Sequence, residues 1–349
     1  HGTMQIDSSD YNGLHNNNSR GDSLTFNNYG MLTIDHSLED GNYNYNYTSV
    51  VDSPFYDYGG GVMSINNFGT MTIDNSTDYG IHNYGDRGEE LYFTNYGNLN
   101  VATTGSYGIY NRCRPNGDYT PLLTFDNIGG TIDISATTLD GIYNYAENAP
   151  IYYRNNGILA LTDIGEHGIY HRANTANSYA DFYNNGAITI SNTGEHGIYN
   201  YANNDGSHNN FYNDTDGNIT ISNTTLDGIH NYTSSGSNTV DNKLLFVNDG
   251  TINVSEAGEK GINNHAYRTY DFVFNNNGTL NLSNNASESL YNYCESNNSN
   301  YGTSSFSMQN NGDINISNNQ HKGLYNYNYN GDFSFTTNGN ITIDNVTRE

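Results

Sequence analysis

The amino-acid sequence predicts an all-β protein, a parallel β-solenoid with three strands in each turn. This prediction rests on a repeated glycine, an alternation of apolar residues and a fixed spacing between two motifs. A segment of the type Gly-x-Ile-Thr-Ile opens at Gly2, Gly30, Gly69, Gly97, Gly130, Gly157, Gly186, Gly217, Gly250, Gly278, Gly312 and Gly339. The interval averages about 31 residues, so we expect about twelve stacked turns in one domain, residues 1–349.

The first strand of each turn follows this first glycine. Apolar side chains occupy the second and fourth positions after it, such as Leu32 and Ile34, and polar side chains such as Thr33 lie between them. Alternation with a period of two is typical of a strand that has one face towards a core. The apolar pairs are therefore predicted to point inward.

The second strand begins at a motif of the type Gly-Ile-Tyr-Asn, eleven residues after the first glycine. The motif starts at Gly13, Gly41, Gly80, Gly108, Gly141, Gly168, Gly197, Gly228, Gly261, Ser289 and Gly323. Its second residue, such as Ile142, points inward, and so does the asparagine two positions further on. All length variation falls later in the repeat, as expected when insertions form loops on one side of a stack.

The inward asparagines of the second strand predict a polar ladder inside the solenoid. They are Asn44, Asn83, Asn111, Asn144, Asn200, Asn231, Asn264, Asn292 and Asn326, and His171 interrupts the series. A buried amide without partners is costly. In stacked turns each amide can donate to one neighbour and accept from the other, so we predict a structural role for these asparagines.

A third strand precedes each following glycine, with inward pairs such as Leu91 and Phe93 or Phe272 and Phe274. Three strands in each turn predict a three-sided solenoid. Because crossovers between parallel strands are right-handed as a rule, we expect a right-handed one.

Two outward columns flank the asparagine ladder. The first has Tyr43, His82, Tyr110, Tyr143, Tyr170, Tyr199, His230, Tyr291 and Tyr325. The second has Tyr45, Tyr84, Tyr145, Tyr201, Tyr232, Tyr293 and Tyr327, with Arg112 and Arg172 as substitutes. Stacked tyrosines can simply pack on one another. They can equally form an interaction face for another copy of the chain or for a polysaccharide, and the sequence does not decide between these interpretations.

The formal net charge of −26, with only 11 Lys and Arg, bears on which partners the chain can bind. Such a charge disfavours DNA, RNA and anionic lipid, and it favours divalent cations or basic surfaces. No apolar run approaches the roughly 18 residues that span a bilayer, so we expect no membrane insertion. We predict no cofactor, and only weak binding of calcium by scattered surface carboxylates.

The strongest candidates for site chemistry are His167 and His196, which follow Glu166 and Glu195 at one position of adjacent turns. A metal site would need a third ligand and a defined geometry. Repetition of a turn sequence explains the pair more simply, so we predict no metal site. The nucleophile elbow, the Walker loop and the dinucleotide fingerprint are all missing, and we predict that the chain is not an enzyme.

Cys113 and Cys294 occupy the same position of turns that lie six repeats apart. At about 4.8 Å for each layer they would be roughly 29 Å apart, which excludes an intrachain disulfide. Two interpretations are left: free thiols, or thiols that crosslink separate molecules.

The alternation of Asn-Asn-Gly-x-Ile-Thr-Ile with Gly-Ile-Tyr-Asn resembles the repeats of secreted bacterial adhesins and autotransporter passengers, over nearly the whole chain. The resemblance implies a right-handed β-helix outside the cell or on its surface. Tyr and Asn are more frequent here than in that family. Ordinary repeats occupy residues 1–6 and 339–344, so we expect either a fragment of a longer array or ends that stack on other copies.

The sequence thus predicts an extracellular structural protein, either a filament-forming subunit or a segment of a surface adhesin, whose partners are other copies arranged head to tail or laterally. One alternative is a carbohydrate-binding module that uses the tyrosine columns. A second alternative is a polysaccharide-degrading β-helix enzyme. No local cluster of Asp with Lys and Arg breaks the repetition, which disfavours the enzyme.

Overall fold

The computed structural model describes residues 2–19, 23–47, 61–86, 90–115, 120–204, 206–234, 242–268, 271–296 and 304–347. Within these ranges the chain forms strands, numbered β1–β34 in chain order, and no helix. A membrane-spanning helix is therefore not found in the described part of the chain. The strands form three parallel sheets, which confirms the predicted all-β solenoid with three strands in each turn.

The first sheet contains the strand that follows each first glycine, and its twelve strands are hydrogen-bonded in chain order. These strands are β1 (Thr3–Ser9), β4 (Met31–Ser37), β7 (Thr70–Ser76), β10 (Asn98–Thr104), β13 (Thr131–Thr137), β16 (Ile158–Ile164), β19 (Ala187–Thr193), β22 (Asn218–Thr224), β25 (Thr251–Ala257), β28 (Thr279–Ser283), β31 (Asp313–Ser317) and β34 (Asn340–Asp344). Equivalent residues of successive turns pair directly, as Leu32 does with Met71.

The second and third sheets have eleven strands each, so the described residues make eleven three-stranded turns and the first strand of a twelfth. The second sheet consists of β2 (Leu14–Ser19), β5 (Asn42–Tyr47), β8 (Ile81–Asp86), β11 (Ile109–Arg114), β14 (Ile142–Ala146), β17 (Ile169–Ala173), β20 (Ile198–Asn203), β23 (Ile229–Ser234), β26 (Ile262–Tyr267), β29 (Leu290–Glu295) and β32 (Leu324–Tyr329). The third consists of β3 (Ser23–Asn28), β6 (Val62–Asn67), β9 (Glu90–Asn95), β12 (Leu122–Asn127), β15 (Pro150–Asn155), β18 (Tyr179–Asn184), β21 (His208–Asn213), β24 (Lys243–Asn248), β27 (Asp271–Asn276), β30 (Ser305–Asn310) and β33 (Asp332–Thr337).

The core is filled by stacked columns of identical or similar side chains. The apolar pairs predicted for the first strand, such as Leu32 and Ile34, are buried. In the third sheet one inward column is an aromatic stack with ring centroids 4.7–5.0 Å apart and nearly parallel rings. Its members are Phe93, Phe125, Tyr153, Phe182, Phe211, Phe246 and Phe274. The layer spacing of a parallel sheet, about 4.8 Å, is close to the preferred separation of offset aromatic rings.

A second asparagine ladder, which the sequence analysis did not predict, lies at the end of the third strand. Each Nδ2 donates to the Oδ1 of the next turn over 2.7–2.9 Å, without interruption across ten turns. The members are Asn28, Asn67, Asn95, Asn127, Asn155, Asn184, Asn213, Asn248, Asn276 and Asn310. The same amides also donate to backbone carbonyls at this corner, as Asn155 does to Ala187 over 3.2 Å.

The backbone bends within or directly after each first strand, at a left-handed residue six positions after the first glycine. These residues have φ between 50° and 61°, and none of them is glycine: Ser8, His36, Asn75, Thr103, Ala136, Asp163, Asn192, Asn223, Glu256, Asn284, Asn318 and Asn345. Asparagine tolerates this conformation better than most residues, which agrees with its frequency in the series. The bend turns the following side chain inward, so Ser37 and its equivalents are buried where simple alternation would expose them.

Glycine is required where successive turns touch at the corners. A Cβ atom added to Gly69 would lie 2.0 Å from the carbonyl oxygen of Gly30, one turn below. At the start of the second strand, a Cβ atom on Gly168 would lie 2.6 Å from both the Gly197 carbonyl oxygen and Ile190 Cγ2. The repeated glycines are therefore explained by close approach between layers.

The second ladder generates a stability prediction. In Asn155→Ala the Asn127 amide loses one of its acceptors, Asn184 Oδ1 loses its side-chain donor, and the Ala187 carbonyl loses the Asn155 amide. Each lost hydrogen bond costs about 0.5–1.5 kcal/mol, so we expect the free energy of unfolding to fall by about 2–4 kcal/mol. Urea unfolding followed by circular dichroism measures the change.

The matched control for Asn155→Ala is Asn315→Ala. The Asn315 side chain makes the same kind of contact, to Asn281, but on the exposed side of β31. Loss of an exposed bond should change stability by less than about 0.5 kcal/mol. Equal effects of the two substitutions would contradict the proposal that the buried ladder contributes more to stability than exposed side-chain contacts do.

Candidate functional face

The asparagines predicted from the second strand form a ladder inside the second sheet. Each Nδ2 donates to the Oδ1 of the next turn over 2.7–2.8 Å. The bonded members are Asn16, Asn44, Asn83, Asn111 and Asn144 below the interruption and Asn200, Asn231, Asn264, Asn292 and Asn326 above it. The prediction is confirmed, and Asn16 extends the ladder by one turn.

His171 breaks this ladder at a buried position. Its ring packs edge-on against Phe182, with centroids 5.9 Å apart. Neither ring nitrogen makes a hydrogen bond of good geometry, although the Ala180 backbone lies close to the ring, and Asn144 Nδ2 and Asn200 Oδ1 on either side lack a partner. Burial lowers the pKa of His171 to about 4, so the imidazole is neutral at pH 7. The interruption therefore leaves a polar defect within an otherwise paired column.

Repairing this defect should stabilise the protein. In His171→Asn the new amide can accept from Asn144 and donate to Asn200, which restores the geometry of the neighbouring turns. Satisfying buried polar groups contributes about 1–3 kcal/mol, while the smaller side chain costs about 1 kcal/mol for the space it leaves. We expect a net gain of up to about 2 kcal/mol in urea unfolding at pH 7.

A matched control for His171→Asn is His171→Ala. The alanine leaves the same space or more, but it cannot bond to Asn144 or Asn200. We expect this substitution to be neutral or destabilising. If His171→Asn were no more stable than His171→Ala, pairing across the gap would not be the source of the gain.

The first tyrosine column covers the outer side of the second sheet. Successive rings from Tyr43 to His230 lie 4.8–5.3 Å apart between centroids. The rings shield one another, and Tyr143 is only 8% exposed. Burial raises the pKa of Tyr143 to about 12. Asn263 occupies the next position, after which Tyr291 and Tyr325 resume the column at 5.5 Å.

In the second tyrosine column, cations are inserted between the rings. The Arg112 guanidinium lies 5.3 Å from the ring centroid of Tyr84 and 5.5 Å from that of Tyr145. Arg172 lies 5.3 Å from Tyr145 and 5.4 Å from Tyr201. Cation–π contacts of this kind are favourable, so the substitutions keep the stack continuous.

Further along this second column, Tyr232 stacks between Tyr201 and His265, with centroids 5.2 and 4.9 Å away. His265 contacts Tyr293 at 4.5 Å, and Tyr293 stacks on Tyr327 at 5.2 Å. At the other end Tyr45 stacks on Tyr84 at 5.3 Å. The faces of the rings are therefore largely occupied by their neighbours, and mainly the ring edges and hydroxyl groups point outward.

A third column, which we call the corner column, immediately precedes the second strand. It consists of Asn12, Asp40, Tyr79, Tyr107, Asp140, His167, His196, Asp227, Lys260, Glu288 and Lys322. Several of its side chains accept a hydrogen bond from the backbone N–H of the same position one turn on. Asn12 Oδ1 accepts from Asp40 over 3.1 Å, and Asp140 Oδ1 accepts from His167 over 2.9 Å.

The two histidines of the corner column make the same contact through Nδ1. His167 Nδ1 accepts from the His196 N–H over 3.3 Å, and His196 Nδ1 accepts from the Asp227 N–H over 3.1 Å. The rings stack with centroids 5.2 Å apart, as their spacing in the sequence predicted. The two histidines considered as metal ligands therefore each make a defined hydrogen bond to the backbone of the next turn.

Metal ligation would compete with these contacts. Within the described residues, His167 comes together with Glu195 and His196, and His196 with Asp227 and His230. A neutral imidazole has one nitrogen lone pair, and in His167 and His196 a backbone N–H already bonds to it. The other nitrogen of each ring then carries a proton: His167 Nε2 faces Glu195 at 3.4 Å, and His196 Nε2 faces His230 at 3.3 Å.

The remaining candidate ligands are also engaged. Asp227 accepts from the Lys260 N–H over 3.0 Å and from Asn263 Nδ2 over 2.9 Å. A third group, Asp7 with Asp35 and His36, lies on the exposed side of the first sheet. The contacts of His167, His196 and Asp227 are therefore accounted for by protein groups, and weak calcium binding by surface carboxylates stays a prediction.

Cys113 and Cys294 are unbonded to each other and fully buried. Cys113 Sγ contacts the Pro121 carbonyl oxygen at 3.2 Å, and Cys294 Sγ contacts that of Ser304 at 3.7 Å. Burial raises the pKa of both thiols, that of Cys294 to about 12. A crosslink between molecules would therefore require local opening of the fold.

An exposed aromatic ridge, which the sequence analysis did not identify, lies at the corner before the first glycine. Tyr29 stacks on Phe68 at 4.8 Å and Phe68 stacks on Tyr96 at 4.7 Å, with the rings within 5° of parallel. Each of these residues directly precedes a first glycine, and that shared position is the signal that would have revealed them.

The sequence matches no family model, and no curated protein or solved structure matches it.

Proposed function

We propose that this chain is an extracellular structural protein, a rigid rod that serves as a filament subunit or as a segment of a surface adhesin. The resemblance of its repeats to those of secreted adhesins supports a place outside the cell. The side chains of the rod are used to hold one turn on the next. At about 4.8 Å for each layer, the described turns make a body on the order of 50 Å long.

The single observation that supports this proposal best is the shared direction of the two asparagine ladders. In both, Nδ2 donates to the turn that follows in the chain. In the first ladder a further turn placed on the last one therefore meets the Asn326 donor, and a turn placed before the first one meets the Asn16 acceptor. In the second ladder Thr337 takes the place of asparagine in the last described turn and accepts from Asn310. The rod can be extended by more turns of the same chain or by a second copy stacked in the same sense.

The exposed surface of the last described strand is suited to such an extension. In β34 the inward column reaches Ile341 and Ile343, and Ile343 is 44% exposed because no described turn covers it. Backbone N–H and C=O groups of an uncovered strand also lack ladder partners, which favours strand addition. Head-to-tail contacts of this kind generate open filaments.

The carbohydrate-binding alternative has less support from the geometry. Sugars stack on the open faces of aromatic rings, and the faces in both tyrosine columns are covered by neighbouring rings or guanidinium groups. A polysaccharide-degrading enzyme would need two carboxylates on either side of an open cleft, and the residues described above do not form such a pair. We therefore advance the structural role alone.

Filament formation can be tested with one substitution on the end strand. Ile343→Lys places a charge where a further turn would bury it, and a buried unpaired charge strongly disfavours stacking. Electron microscopy and sedimentation should show fibres for the unmodified chain, with growth promoted by salt that screens the net charge of −26. The Ile343→Lys protein should remain as short rods.

The matched control is Thr342→Lys, one residue away. Thr342 points to the exposed side of the same strand, so this substitution adds the same charge without entering the stacking surface. We expect fibres as abundant as those of the unmodified chain. Short rods from the unmodified chain at every concentration and salt level would overturn the filament proposal, and equal loss with both lysines would remove the end strand as the contact.

A further inference from the structure

We propose that His167 and His196 form an acid-sensitive clamp between three successive turns of the rod. The clamp consists of two imidazole Nδ1 atoms, each of which accepts the backbone N–H of the next turn. It lies where β17, β20 and β23 begin, beneath the first tyrosine column. It goes beyond the proposed structural role, and it does not depend on whether copies assemble.

Protonation would convert each of these contacts from attraction to repulsion. A neutral imidazole can accept at Nδ1, whereas an imidazolium ion is a donor at both nitrogens. The proton on Nδ1 would then face the backbone N–H of His196 or of Asp227. Either the ring turns away or the two turns separate, and in both cases a buried N–H is left without its acceptor.

Charged and titratable groups surround the clamp on every side. Around His167 lie Asp140 from the preceding turn and Glu166, its neighbour in the chain. Glu195 lies 3.4 Å from Nε2, and the rings of Tyr170 and Tyr199 contact the imidazole. Around His196 lie Asp227, Glu195, Glu259 and His230, with Tyr199 against the ring. Lys260 faces Asp227 at 3.8 Å and adds positive charge near His230, and the ring of His265 also lies close to His230.

The balance of these effects opposes protonation in the folded state. Burial lowers the pKa of His167 to about 3, with a smaller contribution from His196. Burial also lowers the pKa of His196, although the nearby Asp227 and Glu195 oppose the shift. In the unfolded chain a histidine has a pKa of about 6.5, so the unfolded state binds more protons below that pH. Stability supplied by the neutral clamp is therefore present above about pH 6.5 and is lost as the pH falls towards the folded pKa.

The chain itself indicates which substitution removes the proton and keeps the contact. In other turns the same position of the corner column carries Asn12, Asp40, Asp140 or Asp227. Each of these side chains accepts a hydrogen bond from the backbone N–H of the next turn through Oδ1. Asparagine has no titratable group. His167→Asn together with His196→Asn should therefore keep both acceptors while abolishing the response to acid.

The experiment is urea unfolding of monomeric rods at several values between pH 5 and pH 6.5, where ordinary Asp and Glu side chains stay ionised. The logarithm of the unfolding constant falls as the pH rises, and the magnitude of this slope equals the number of protons taken up on unfolding. We expect the double variant to lower that slope by up to about one proton for each histidine replaced. The control His15→Asn removes an exposed histidine outside the clamp, paired in register with Tyr43, and should not reduce the slope as the double variant does.

A slope equal to that of the unmodified chain in the double variant would overturn the clamp, whatever the absolute stability of that variant. A second measurement addresses the contacts directly, namely the ring-nitrogen chemical shifts of ¹⁵N-labelled histidine at pH 7. The proposal requires an unprotonated Nδ1 and a protonated Nε2 in both His167 and His196, and the opposite tautomer in either ring would also overturn it. Neither readout involves fibres, so failure of the filament proposal is distinguishable from failure of this one.

Discussion

Parallel, in-register stacking places every residue directly against its equivalent in the next turn, and the rest of the structure depends on this constraint. A side chain in such a column must be compatible with a copy of itself about 4.8 Å away. Leucine and isoleucine meet this condition by packing, phenylalanine by offset stacking, and asparagine by having a donor and an acceptor on one amide. The skewed composition of the chain follows from this condition, since these residue types recur wherever a column must continue.

Those parts of the fold that depend on period and spacing were predictable from the sequence. The first glycines fixed the number of turns, and the alternation around Leu32 and Ile34 fixed which faces are buried. The asparagine ladder beginning near Asn44 was predictable because its asparagines always lie three residues after the first residue of the Gly-Ile-Tyr-Asn motif. Its interruption at His171 was equally visible in the sequence. Only the structure shows that Asn144 Nδ2 and Asn200 Oδ1 are left without hydrogen-bond partners there.

Other features were hidden because their signals resemble background in this composition. Six of the ten members of the second ladder adjoin another asparagine, as Asn155 adjoins Asn156, and there the sequence does not show which amide points inward. The number of residues from the ladder asparagine to the next first glycine also varies. It is two from Asn155, three from Asn127 and four from Asn213. The left-handed bends were missed because the residues that adopt them include Thr103 and Ala136, which have no preference for that conformation.

The stacking constraint also decides where ionisable residues are tolerated. A column of like charges would repel itself, and the structure avoids this by placing Arg112 between tyrosine rings and by keeping His167 and His196 neutral as acceptors. Asparagine ladders hold their turns together at any pH at which the chain folds, whereas histidine contacts do so only while neutral. Since each turn of a solenoid contacts only its neighbours, weakening a few adjacent turns leaves the others paired. The two histidines therefore add sensitivity to acid to the contacts between turns in the middle of the rod, beside asparagine ladders that do not titrate.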